Sequence, residues 1–263
     1  IFHCAAYKHV PLLEENPIEA IKNNVFGTRN VIRAAHAAGV PRFVLVSTDK
    51  AVDPVSVYGA SKTIAEELVL ASNGSAGDYM VVRFGNVIAS RGSIVPLFTK
   101  QIQKGGPVTV THPEATRFFM TIPEAASLVL KAGGVGTGGE VYILDMGEPL
   151  SIKELAEQMI RFYGFSPQEE IAIKFTGLRK GEKISESLWR EGERLEETEH
   201  EKINRLRNRR KAGGDLERLI EELAPICFFD PGSADVYRSK TSLRRVINAY
   251  IPTVERPEHE PEY

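Results

Sequence analysis

The six residues Arg42-Phe43-Val44-Leu45-Val46-Ser47 constrain this chain more than any other stretch. The run is nearly all apolar and rich in β-branched residues, which is the pattern of a short strand buried on both faces of a parallel sheet. Ahead of it, Pro17 to Ala38 carries Ile21, Val25, Val31, Ile32 and Ala35 at helical spacing and stops at Gly39-Val40-Pro41. Behind it, a second helix is predicted from about Val57 to Ala71, ended by Asn73-Gly74-Ser75, and then a strand from Tyr79 to Phe84. Strands and helices alternating in units this short require right-handed parallel crossovers, hence an α/β doubly wound sheet. Ile1 and Phe2, followed by small residues, read as one more buried strand already running into a loop, so the sequence is expected to open in mid-domain. It shows neither the charged start nor the apolar core of a signal peptide.

Beyond Ser90 the pieces become smaller: a helix from Ile94 to Gln103, a turn at Lys104-Gly105-Gly106-Pro107, and a short strand Val108-Thr109-Val110. Pro123 to Lys131 is predicted as a helix with Pro in its first turn, Gly133 to Gly139 as a loop, and Glu140 to Leu144 as a strand returning to the main sheet. Ser151 and Glu154 form a capping box for an amphipathic helix running to Tyr163. Arg190 to Leu223 is dense in charge and reads as solvated helices, and the polar, Pro-rich end is expected to be disordered.

Composition removes several function classes. Lys plus Arg (33) nearly balance Asp plus Glu (35), which gives no electrostatic reason to expect nucleic acid. No stretch approaches the ~20 apolar residues of a membrane span. Cys4 and Cys227 lie far apart without metal-ligand spacing, as do His9, His36 and His112, so no metal site is expected and a reducing, cytoplasmic setting suits the chain.

The strand ending in Ser47 delivers Thr48, Asp49 and Lys50 to the edge where open α/β sheets place ligands. On the next helix Tyr58 and Lys62 stand one turn apart on one face, so the ammonium can lower the phenol's pKa and hold a ribose hydroxyl. The phenolate then takes a proton from a substrate alcohol as hydride leaves its carbon, with Thr48 hydrogen-bonded to the same alcohol.

These residues, with the runs His3 to Pro11, Asn23 to Thr28, Ser47 to Ala51, Arg83 to Val87, Ser90 to Ser93, Thr116 to Thr121 and Thr176 to Lys183, resemble the extended short-chain dehydrogenase/reductase superfamily. Within it they are similar to the nucleotide-sugar 4,6-dehydratases of the polysaccharide-biosynthesis (CapD-like) family, which act on UDP-N-acetylglucosamine. The resemblance implies the C-terminal portion of a Rossmann domain over residues 1–92, a nucleotide-sugar domain over 93–252 and a disordered tail over 253–263. It also implies a bound NAD or NADP, a UDP-sugar substrate and a homo-oligomer. The Gly-rich turn that cradles the cofactor pyrophosphate is expected upstream of His3.

Carried over residue by residue, the resemblance makes Thr48, Asp49, Lys50, Tyr58 and Lys62 catalytic. Tyr58 removes the O4 proton, Lys50 the C5 proton, and Asp49 protonates the departing O6. Ala5, Ala6, Lys8, Asn23, Ser47, Phe84 and Gly85, with Tyr58 and Lys62, are the implied cofactor contacts. Asn86, Ser90, Arg91, Ile94, Pro96, Leu97, Phe98, Arg117, Arg179 and Glu182 are the implied substrate contacts, the guanidinium forks suiting a diphosphate. Two other functions stay open: a UDP-sugar 4-epimerase or reductase of the same superfamily, and a catalytically silent binding module. The chain departs from the family pattern at Lys180, where Pro is common, and at Ala89, where Gly is usual.

Overall fold

A computed structural model describes residues 1–74, 77–90, 92–211 and 213–254. They are organised by a six-stranded sheet in the order Phe2–His3, Arg42–Thr48, Asp78–Phe84, Val141–Leu144, Ile203–Arg207, Arg194–Glu197. The first four strands are parallel and the last two antiparallel. Phe43, Leu45, Tyr79, Val81 and Ile143 pack against helices Gly27–Ala37 and Val57–Ala71. Val44, Met80, Val82, Tyr142 and Leu144 pack against helix Ile122–Val135. Both faces are therefore covered, which explains the unbroken apolar runs.

Register places the site. Ser47 lies opposite Arg83 and Thr48 opposite Phe84, so the loops after both strands leave the same sheet edge. The following helix is capped by the Ser56 hydroxyl, which accepts from Gly59 N–H at 3.1 Å. Small residues at Gly59, Ala60, Ser61 and Ala65 let this helix sit buried between the sheet and the C-terminal helices. A Cβ on Gly59 would collide with the Lys50 carbonyl and Pro54.

A smaller lobe has its own core of Phe98, Ile102, Val108, Val110, Ile152, Ala156, Ile160 and Ile173. It comprises helices Ile94–Gln103 and Ile152–Phe162 and the parallel pair Val108–Val110 with Ile173–Phe175. Ser151 Oγ accepts from Glu154 N–H at 3.3 Å, as the capping pattern predicts.

Three expectations are corrected. The helical pattern from Pro17 to Ala38 is interrupted by a π turn over Lys22–Phe26, where a wider turn carries Asn24. The charged segment 190–223, expected as solvated helices, instead forms a β-hairpin, Arg194–Glu197 with Ile203–Arg207, and is helical only from Leu216 onward. Ile203 and Leu206 are buried against the sheet while Arg207 pairs with Glu196 and Glu140 at 2.6 and 2.9 Å. Finally, Val254 is buried at 1% exposure, and the exposed Thr253 is held by its Oγ1 donating to the Pro54 carbonyl at 2.7 Å. The remainder of the expected tail, 255–263, lies outside the described residues.

Residues 93–252 thus divide between two places. Helices Leu216–Cys227 and Lys240–Tyr250 leave the small lobe and share a core with Leu13, Ile21, Val25 and Ile64 beside the main sheet. Among the described residues no helix is long and apolar enough to cross a membrane.

Candidate active site

The Arg42–Thr48 strand ends in a single 3-10 turn, Asp49–Ala51, that folds three predicted residues onto one another. Thr48 Oγ1 donates to Asp49 Oδ1 at 2.8 Å, and Lys50 Nζ donates to the same oxygen at 3.0 Å and to Asn86 Oδ1 at 3.2 Å. Asp49 is fully buried, and its Oδ2 has no hydrogen-bond partner among the described residues. A buried carboxylate oxygen left unpaired costs roughly 1–3 kcal/mol or more, so it is a place prepared for a proton or a ligand donor. Gly85 makes room for it: a Cβ there would sit 3.1 Å from Asp49 Oδ2 and 3.0 Å from Phe118 Cβ.

Electrostatics separates the three bases. Burial opposes charge on Lys50, but Asp49 and Glu186 outweigh it, so the ammonium is held above its ordinary range and is protonated at rest. Burial raises Tyr58, with Lys50 and a hydrogen bond to Thr48 drawing it back down. Burial also drives Lys62 down to about 8, against the opposing pull of Glu66 and Cys4. Lys62 Nζ donates to the Val46 carbonyl at 2.8 Å, which fixes it beside the strand end.

The predicted cofactor contacts separate into those that reach the pocket and those that hold it up. Asn24 grips the loop after the first strand: its Oδ1 accepts from Tyr7 N at 2.8 Å, and its Nδ2 donates to Tyr7 O and Ser61 Oγ, both at 2.9 Å. That loop leaves Ala5 and Lys8 exposed and Ala6 half-buried. Asn23, by contrast, turns its amide to Asn24 at 3.1 Å. Ser47 is buried with its hydroxyl donating to Glu66 Oε1 at 2.5 Å, part of a network in which Arg83 binds both Glu66 oxygens and the Leu188 carbonyl. Phe84 and Gly85 are half-buried at the strand end.

On the substrate side Asn86 contacts Lys50, and Ser90 Oγ accepts from Lys8 Nζ at 3.2 Å. Ile94 and Pro96 are half-buried and Leu97 exposed, whereas Phe98 lies wholly inside the small-lobe core. Arg117 is committed within the chain, donating to the carbonyls of Thr116, Ile184 and Lys183 at 2.7, 2.8 and 2.7 Å and to Glu182 at 3.3 Å. Glu182 in turn accepts from Thr111 Oγ1 and Arg179 N. Arg179 is exposed, and Arg91 lies outside the described residues.

Residues 1–208 match the family described as polysaccharide biosynthesis protein. The chain belongs to that family. It is 50% identical over 225 residues to the capsular polysaccharide biosynthesis protein CapD of Staphylococcus aureus, covering 85% of this chain and 37% of that protein. It is 42% identical over 192 residues to a UDP-glucose 4-epimerase of Rickettsia rickettsii, covering 72% and 55%. Among solved structures, Pen from Bacillus thuringiensis superposes with a TM-score of 0.71 at 39% identity, covering 78% of this chain and 64% of Pen. The chain therefore spans about a third to a half of these curated relatives, and its sheet is of the Rossmann type.

Two residues of this chain outside the expected site set, Glu186 and Lys183, enter the site. Glu186 comes within 3.9 Å of Lys50 Nζ and 3.8 Å of Lys183 Nζ, and burial raises its pKa. Lys183 also donates to the Val52 carbonyl at 2.8 Å, tying the Glu186 segment to the loop after Lys50. Both lie in the polar run Lys183-Ile184-Ser185-Glu186, which as sequence is indistinguishable from a solvated surface. Among the described residues no group of His, Cys, Asp and Glu is arranged to hold a metal ion.

Proposed function

We propose that this chain carries the acid–base and substrate-holding part of a nucleotide-sugar 4,6-dehydratase that turns UDP-N-acetylglucosamine into a 4-keto-6-deoxy sugar for polysaccharide precursors. One observation carries the reading: a fully buried Asp49 carboxylate paired at 3.0 Å with the half-buried Lys50 ammonium beside Tyr58. Oxidation or epimerisation at C4 needs one proton acceptor, which Tyr58 with Thr48 supplies; loss of the C6 hydroxyl needs a further base and a further acid.

The pair is suited to both roles. Moving one proton from Lys50 to Asp49 along their hydrogen bond converts the ion pair into a free amine and a carboxylic acid. Lys50 then accepts the C5 proton, acidified by the neighbouring ketone, and Asp49 gives its proton to O6 as that hydroxyl leaves as water. Elimination leaves the pair again an ammonium and a carboxylate; as C6 is reduced, Lys50 returns a proton to C5, and the proton that Tyr58 took from O4 passes back to the Lys50 amine through solvent, so one turnover releases one water and restores every group.

The chain's donors fit a nicotinamide cofactor. Lys62 uses one of its three donors on Val46, leaving others for ribose hydroxyls, and Ala5 and Lys8 are exposed on the loop after the first strand. When bound, the cofactor supplies the acceptor and later donor of the C4 hydride. Lys8 and Arg179 are the exposed cations available to a diphosphate.

The test is solvent exchange in the full-length protein. Incubated with UDP-N-acetylglucosamine in deuterated water, the wild type is expected to label C5 and release a 4-keto-6-deoxy product. Lys50→Ala is expected to abolish the label while partial oxidation at C4 survives. Full dehydration by Lys50→Ala removes Lys50 as the base, and formation of a 4-epimer without C5 label in the wild type favours an epimerase function like that of the Rickettsia relative.

A further inference from the structure

A second carboxylate faces Lys50, and nothing in the proposed proton traffic uses it. Glu186 lies in the segment that returns from the small lobe, with its side chain only 4% exposed. Its Oε1 is 3.9 Å from Lys50 Nζ, and its Oε2 has no hydrogen-bond partner among the described residues, the Lys183 ammonium standing 3.8 Å away. Two carboxylates therefore border one ammonium through Asp49 Oδ1 and Glu186 Oε1, while their other oxygens, Asp49 Oδ2 and Glu186 Oε2, are buried with no hydrogen-bond partner among the described residues.

We propose that Glu186 is a positioning residue of the acid–base set, holding the Lys50 ammonium between two carboxylates and so setting the pH at which Lys50 gives up its proton. The inference rests on the dehydratase reading for its chemical meaning, not for its geometry. The charged and titratable groups facing Lys50 are Asp49 from its own turn, Tyr58 from the neighbouring helix, Glu186 and Lys183 from the returning segment and Lys8 from the first loop. Those facing Glu186 are Lys50, Asp49, Lys183 and Arg117. Lys8 and Lys183 repel the ammonium, while Asp49 and Glu186 retain it, and the two carboxylates prevail.

The placement has a chemical purpose. Asp49 alone is a poor regulator of Lys50, because it is also the partner that exchanges the proton. Glu186 sits beyond hydrogen-bond range, so it acts through its field and stays out of the transfer itself. An anion within ~4–6 Å of an amine raises its pKa by roughly 1–3 units, which makes it the group that tunes the base without competing for the proton.

The test compares wild type, Glu186→Gln and Glu186→Asp in the full-length protein, with two readouts. The first titrates the Lys50 side chain by NMR in selectively labelled protein, with the signal assigned through Lys50→Arg. The second is the pH profile of C5 exchange. Glu186→Gln is expected to lower the Lys50 titration by roughly one unit and move the rising limb of the exchange profile to lower pH by the same amount. Exchange below that limb then runs up to about tenfold faster than wild type. Glu186→Asp keeps the charge and is expected to keep the wild-type limb. An unmoved Lys50 titration in Glu186→Gln overturns the proposal, as does a move to higher pH. Absence of C5 exchange in the wild type overturns the dehydratase reading alone, and the NMR titration still decides the role of Glu186.

Discussion

The ammonium of Lys62 is buried beneath the site with a single carbonyl to receive it, and burial brings its pKa to about 8 from an ordinary 10.5. Between those values the unfolded chain binds a proton that the folded chain has released, so this group's contribution to stability rises with pH across that window and is most unfavourable below it. Lys62→Met is therefore expected to stabilise the ligand-free protein at neutral pH, on the order of 2 kcal/mol, and to lose that advantage as the pH climbs towards 10. Denaturant unfolding of the two proteins at several pH values measures the difference directly. A constant difference across the range refutes a buried charge at this position. Activity is expected to fall in the same variant, which is the usual relation between a destabilised site and its use.

The helix Val57–Ala71 carries both Tyr58 and Lys62, and its seat depends on Gly59 lying against the Lys50 carbonyl and Pro54. Gly59→Ala is expected to push the helix and the Asp49–Ala51 turn apart, costing roughly 1–3 kcal/mol in stability and lowering C5 exchange more than substrate affinity. Thermal unfolding alongside exchange rates at saturating substrate checks both. The bounds of this helix are legible in the sequence, where Val57 to Ala71 followed by Asn73-Gly74 marks the same residues the helix occupies. The hairpin Arg194–Glu197 with Ile203–Arg207 is not. Its buried residues Ile203 and Leu206 are three apart, a helical spacing, and the surrounding charges find partners across the hairpin and in distant elements, Arg207 with Glu196 and Glu140 and Lys202 with Glu124. The site divides the same way. Thr48, Asp49, Lys50, Tyr58 and Lys62 fall within one strand, turn and helix, so local pattern assembles them. Ser47 faces the opposite way because side chains alternate along a strand, and Glu186 arrives from more distant sequence that only the tertiary fold brings near.

At the scale of the whole molecule, the C-terminal helices Leu216–Cys227 and Lys240–Tyr250 cover an apolar face formed by Leu13, Ile21, Val25 and Ile64. A second copy of this chain cannot use that face while those helices remain in place, so any homo-oligomer must be built on another surface. Ending the chain at Gly213 is expected to expose the face and drive self-association, read as a rise in mass by light scattering and in dye binding to apolar surface. A truncated chain as dispersed as the intact one shows that the helices are dispensable cover. Residues 183–188 connect the two lobes in a different manner. Arg117 holds the Ile184 and Lys183 carbonyls from the small-lobe side, Lys183 holds Val52, and Arg83 holds the Leu188 carbonyl from beneath the sheet. The segment is thus a tether pinned at both ends with Glu186 at its middle. A displacement of the small lobe relative to the sheet would therefore carry the Glu186 carboxylate with it and change its distance from the Lys50 ammonium.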